Sequence, residues 1–66
     1  MAVVFYEIGN LILMEIRVGK TWEYYFRDKE DIFDYFKFSF GSDKPLNKME
    51  LEVLMNNGYF EKQEEE

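Results

Sequence analysis

The sequence predicts an α+β fold, a small antiparallel β-sheet with one α-helix, on three observations. Two runs rich in β-branched and aromatic residues, 11–18 (LILMEIRV) and 22–27 (WEYYFR), flank Gly19, Lys20 and Thr21, which is the pattern of a β-hairpin. Asp28, the acidic pair Glu30 and Asp31, and an aromatic stretch ending at Gly41 match a helix with a capped start and a glycine end. The chain is 66 residues long, 47% hydrophobic and 20% aromatic, with Pro45 as its one proline. That composition is too apolar for a disordered chain.

Taken in order, residues 3–8 (VVFYEI) form a candidate fourth strand beside three others, turning at Gly9-Asn10 before Leu11. Loop length sets the faces of the hairpin that follows. A two-residue loop would oppose Ile16 to Glu23 and Glu15 to Tyr24, mixing polar and apolar side chains. A three-residue loop instead gathers Ile12, Met14, Ile16 and Val18 on one face with Trp22, Tyr24 and Phe26, and sets Arg17 against Glu23. The three-residue loop is the expectation.

A helix is expected from about Lys29 to Phe40, with Asp28 as N-cap and Asp31 as the reciprocal capping residue. Phe33, Phe36 and Phe40 then lie at i, i+3 and i+7 on one face, with Ile32 and Tyr35 beside them. Residues 47–55 (NKMELEVLM) fit two periods. A strand puts Met49, Leu51, Val53 and Met55 on one face; a helix aligns Leu46, Met49, Val53 and Leu54. The strand matches slightly better, giving the order β-β-α-β, although Asn56-Asn57-Gly58 also resembles a helix end. One domain spans 1–66, and residues 61–66 read as a frayed acidic tail.

At this length a lone core is marginal, since only about 60% of the unfolded chain's surface is buried. With no cysteine or histidine, disulfides and His/Cys metal sites are excluded as staples, and oligomerisation is the one left. No basic leader or long apolar run opens the chain, so a cytoplasmic location is expected. The net charge of -6 disfavours direct binding to nucleic acid or anionic membranes, both of which require cationic side chains. Acidity alone is also what keeps a small aromatic-rich protein in solution.

Catalytic chemistry finds little footing. Ser39, Ser42 and Thr21 have no histidine to activate them, and Asp28, Glu30, Asp31 and Asp34 are explained by capping and the helix dipole. GSDKPL lacks the spacing of a phosphate loop. Lys20, Arg27, Lys29 and Lys37 are interleaved with acids, so they build no basic stacking platform. What remains is a non-enzymatic, cofactor-free surface of aromatic knobs and negative charge. It suits the basic groove of a nucleic-acid enzyme, with carboxylates imitating phosphates.

Those residues also resemble a family, the very small phage-encoded uracil-DNA glycosylase inhibitors of tailed Bacillus phages. The resemblance covers roughly residues 11–54: Gly19-Lys20 followed by Tyr24-Tyr25, a short helix with Asp34 and Phe36 ending at Phe40-Gly41, then the alternating KMELEVL at 48–54. It implies a three-stranded antiparallel sheet with one helix, and a homodimer whose paired helices form an apolar cleft. That cleft captures the leucine that the glycosylase inserts into DNA. By position the family's key phenylalanine falls on Phe36 and its aromatic before glycine on Phe40. Lys37 stands where the family carries an acid, with Asp34 as a substitute, and Phe40 lacks the hydroxyl of the family's tyrosine. The resemblance favours the strand for 48–54.

The expectation is therefore a homodimeric DNA mimic that inhibits a DNA-processing enzyme, with host uracil-DNA glycosylase first. Phe33, Tyr35, Phe36 and Phe40 would form the apolar receptor, and Glu30, Asp31 and Asp34 the phosphate mimics. The alternatives are a structural or regulatory homodimerisation module, in which the same aromatics are consumed by the subunit interface, and a phage inhibitor of a different host factor.

Overall fold

Two glycine turns organise the first half of the chain. In the computed structural model, which describes residues 2–31 and 35–61, β1 (Val3–Ile8) turns at Gly9-Asn10 into β2 (Leu11–Val18). That strand turns at Gly19-Lys20 into β3 (Thr21–Asp28). Gly9 has φ 57° and Gly19 φ 63°, and among the described residues no non-glycine has positive φ. Positive φ at the first central residue only is the signature of the type II′ turn, whose twist matches the strands it joins. A Cβ at Gly19 would meet nothing within 4 Å, so Gly19→Ala isolates the conformational term. It is expected to cost about 1–2 kcal/mol, read as a lower denaturant midpoint at constant slope.

A fourth strand, β4 (Lys37–Ser42), pairs antiparallel with β3, and the sheet runs in the order β1-β2-β3-β4. One helix among the described residues, α1 (Lys48–Asn56), follows. The α+β class and the N-terminal strand stand as expected. Their order is β-β-β-β-α, so the β-β-α-β arrangement expected from the sequence and implied by the resemblance is not the one adopted.

Three local expectations are corrected. The helix expected over 29–40 is absent where the structure describes it: Asp28 ends β3 instead of capping a helix, Tyr35 and Phe36 are non-helical, and Phe38 and Phe40 lie in β4. Residues 32–34 lie outside the described residues. Alternating aromatics pair well across strands and carry poor helix propensity. Tyr24 stacks on Phe40 with ring centres 5.1 Å apart, and Tyr25 meets Phe38 edge-on at 5.5 Å. Gly41 continues β4 without positive φ.

The strand expected over 47–55 is instead α1. Asn47 accepts the Glu50 N–H (2.8 Å) while the Glu50 carboxyl accepts the Asn47 N–H (3.1 Å), a reciprocal capping box. That bond holds the Glu50 carboxyl below its ordinary range. At the other end Tyr59 N–H reaches Leu54 C=O (3.1 Å) and Gly58 N–H reaches Met55 C=O (3.1 Å), with Gly58 at φ 84°. These are the bonds of a Schellman ending.

The β2–β3 loop has two residues rather than three, because Val18 pairs with Thr21. Glu15 therefore sits opposite Tyr24, the mixed pairing expected to be unfavourable. A buried bond compensates: the Tyr24 hydroxyl donates to Glu15 Oε2 (2.6 Å) and accepts from the Leu46 N–H (2.7 Å). Each polar group finds its partner, which removes the cost of burying it.

The core lies on one face of the sheet, beneath α1 and the residues beside it. Ile8, Leu13, Tyr24, Phe26, Leu46, Leu51 and Phe60 are buried there, with Tyr6, Leu11, Trp22, Phe40, Leu54 and Met55 packed around them. Trp22, Tyr24 and Phe26 belong to the sheet core as expected. Ile12, Met14, Ile16 and Val18 occupy the opposite face, since strand side chains alternate.

Candidate protein-binding surface

Register lines up the second face of the sheet, which the helix leaves open. Phe5 pairs with Met14, Met14 with Tyr25, and Tyr25 with Phe38, an apolar row across all four strands. On one side runs the row Val3, Ile16, Glu23 and Gly41; on the other, Glu7, Ile12 and Arg27. Phe5 is 59% exposed and Phe38 55%, with Val3 and Val18 also exposed. An exposed apolar cluster of this kind is a candidate contact surface.

A bulge assigns the β4 aromatics to their faces. Tyr24 pairs with Phe40 but Tyr25 pairs with Phe38, leaving Ser39 as the extra residue. Without it Phe38 and Phe40, two apart, would share a face. With it, Phe38 joins the open row and Phe40 packs into the core. The Ser39 hydroxyl donates to the Tyr59 C=O, tying the bulge to the C-terminal turn.

At one corner of the open face Phe36 lies against Phe5, with ring centres 5.9 Å apart, and the Arg27 guanidinium sits 5.6 Å from the Phe36 ring centre. Arg27 also donates to the carbonyls of Asp28 (3.1 Å) and Asp31 (3.3 Å), fastening the start of the β3–β4 connection. Phe5, Tyr6, Glu7, Ile12, Arg27 and Phe36 line a depression of about 380 Å³. Glu7 is ion-paired with Lys29, which holds its carboxyl below the ordinary range. The Tyr25 hydroxyl donates to Glu23 (2.9 Å), and that bond pushes its pKa up.

The expected site residues are thus divided. Phe36 lines the open face; Phe40 stacks on Tyr24 and meets Phe60, its ring centre 5.7 Å away, on the covered one. Tyr35 is 87% exposed, and Glu30 and Asp31 are exposed in the β3–β4 connection. Phe33 and Asp34 lie outside the described residues. Phe5, Met14, Tyr25 and Phe38 were not anticipated as site residues. Their signal was the period-two alternation of β1 to β4, legible once both glycine turns are taken as two-residue loops.

No protein-family model, curated protein or solved structure matches this chain. Its site is therefore read from its own geometry. Among the described residues no three carboxylates come together as a metal site, and no helix is long and apolar enough to cross a membrane.

Proposed function

We propose that this protein is a non-catalytic inhibitor that grips a DNA-processing enzyme through its open sheet face. The observation that carries the reading is the Phe5-Met14-Tyr25-Phe38 row with Phe36 at its corner, on a chain of net charge -6. Aromatic anchors supply most of the energy of protein interfaces. Negative charge speeds encounter with a basic groove. Uracil-DNA glycosylase is the first target on the sequence resemblance over residues 11–54, whose β-β-α-β order the fold does not adopt. In this version the receptor for the enzyme's inserted side chain is the depression at Phe5, Ile12 and Phe36, in place of a cleft between helices. Asp31, whose carbonyl accepts from the lining residue Arg27, and the exposed Glu30 next to it in sequence act as phosphate mimics.

Uracil excision by a bacterial glycosylase, titrated with this protein at about 50 mM and about 200 mM salt, tests the proposal. Inhibition is expected, weaker at the higher salt, and Phe36→Ala is expected to weaken it at least about 10-fold while the fold is retained. No inhibition at micromolar protein and low salt removes the glycosylase as target.

One observation favours a second reading, a homodimerisation module. The three rows of the open face carry only Glu7, Glu23 and Arg27 as charges, so two copies can stack sheet on sheet with little like-charge opposition. A sedimenting dimer that Phe38→Asp dissociates, together with no glycosylase inhibition, is the result that selects it.

A further inference from the structure

The two edges of the sheet are built differently. β4 carries Lys37, a bulge at Ser39 and the Ser39–Tyr59 bond, devices that discourage further strand pairing. At the opposite edge β1 has no proline, no lysine and no bulge against β2. Its one charge, Glu7, is neutralised by Lys29.

The phase of β1 follows from its pairing. The Arg17 N–H bonds the Ala2 C=O (3.4 Å) and Val3 faces Ile16, so even-numbered residues exchange main-chain bonds with β2. The N–H and C=O groups of Val3, Phe5 and Glu7 therefore point away from the sheet. Among the described residues no strand lies beyond them. The depression lined by Phe5, Ile12 and Phe36 opens next to that edge.

We infer that β1 takes up an extended, basic segment of the partner protein as a fifth strand, with an apolar side chain of that segment entering the depression beside Phe5. Main-chain bonds to Val3, Phe5 and Glu7 supply affinity, and the depression and the charge supply selectivity. The inference rests on the reading of this chain as a binder of a basic protein. A second copy is the poorer occupant. It brings another -6 to the contact. A cationic segment meets the opposite sign.

The test uses the full chain, isotopically labelled, with a capped nine-residue peptide alternating valine and lysine. Amide exchange at Val3, Phe5 and Glu7 is expected to slow at least about 10-fold at saturating peptide, while Val4, Tyr6 and Ile8 are slow throughout. A valine and glutamate peptide should bind at least about 10-fold more weakly. Methylating alternate peptide nitrogens should abolish the protection without altering the protein. Phe5→Pro should weaken binding more than Phe5→Ala, because it deletes an outward donor and no bond to β2.

Peptide binding that leaves the odd-numbered amides unprotected overturns the inference. So does protection that grows with protein concentration in the absence of peptide, which would identify a second copy. Protection by peptide without glycosylase inhibition keeps the edge site and discards that target; inhibition weakened no more by Phe5→Pro than by Phe5→Ala keeps the target and discards the edge.

Discussion

Tyr24→Phe is expected to destabilise the protein by about 2–4 kcal/mol, the largest effect of removing any single oxygen. The hydroxyl lost is fully buried and serves two partners, Glu15 Oε2 at 2.6 Å and the Leu46 N–H at 2.7 Å. Each is left buried without it, at about 1–3 kcal/mol per orphaned group. Against a total stability of about 3–10 kcal/mol for a chain of this size, most of the margin is lost. Chemical denaturation with an unchanged slope reads the loss. Glu15→Leu in the same background should restore part of it, since removing both partners is far cheaper than removing one. A loss below about 1 kcal/mol would mean that the Glu15–Tyr24–Leu46 chain does not hold the helical segment to the sheet.

The same hydroxyl sets an alkaline limit. Burial, then the bond to Glu15, pushes the Tyr24 pKa well above its ordinary value of 10.0. Because the folded pKa is the higher one, the stabilisation is complete below pH 10 and is lost as pH rises beyond it. The loss proceeds at up to about 1.4 kcal/mol per pH unit. Burial and Glu15 push Tyr6 in the same direction. Alkaline unfolding monitored by circular dichroism should have a shallower pH dependence in Tyr24→Phe.

Leu51→Ala is expected to cost about 2–5 kcal/mol by the cavity it leaves. Leu51 is the one fully buried residue of α1 and joins the core with Tyr24, Leu13 and Phe60. Met49, two residues earlier, is 75% exposed, so Met49→Ala should stay within about 0.5 kcal/mol. The contrast tests the helical phase directly. A strand would put both side chains on one face and give them comparable costs.

The legible part of the fold lay in its short-range chemistry. Apolar alternation over 3–8 and 11–18, with glycine turns at Gly9 and Gly19, is enough to draw a three-stranded meander. Trp22, Tyr24 and Phe26 could be assigned to the core because every second residue of a strand shares a face. The end signals of α1 were present too, Asn47 and Glu50 at capping-box spacing and Gly58 after Asn57. The alternation of Met49, Leu51, Val53 and Met55 outweighed them on paper. In the fold, the caps and the buried Leu51 prevail over a strand pattern of which Met49 and Val53 end up exposed.

What could not be read locally was the pairing of distant residues. The segment after Asp28 has helix-like punctuation, yet its aromatics find β3 partners across a bulge, and only assembled strands supply those partners. The Glu15–Tyr24 pairing looks unfavourable along the chain. It becomes acceptable when Leu46, 22 residues further on, donates its N–H to the tyrosine. Composition and charge marked this chain as acidic and aromatic-rich, and its local patterns marked it as α+β. Which aromatics face outward was settled by the two-residue turn, the bulge and the helix that covers one side. Each of these depends on contacts between segments that no window of sequence contains.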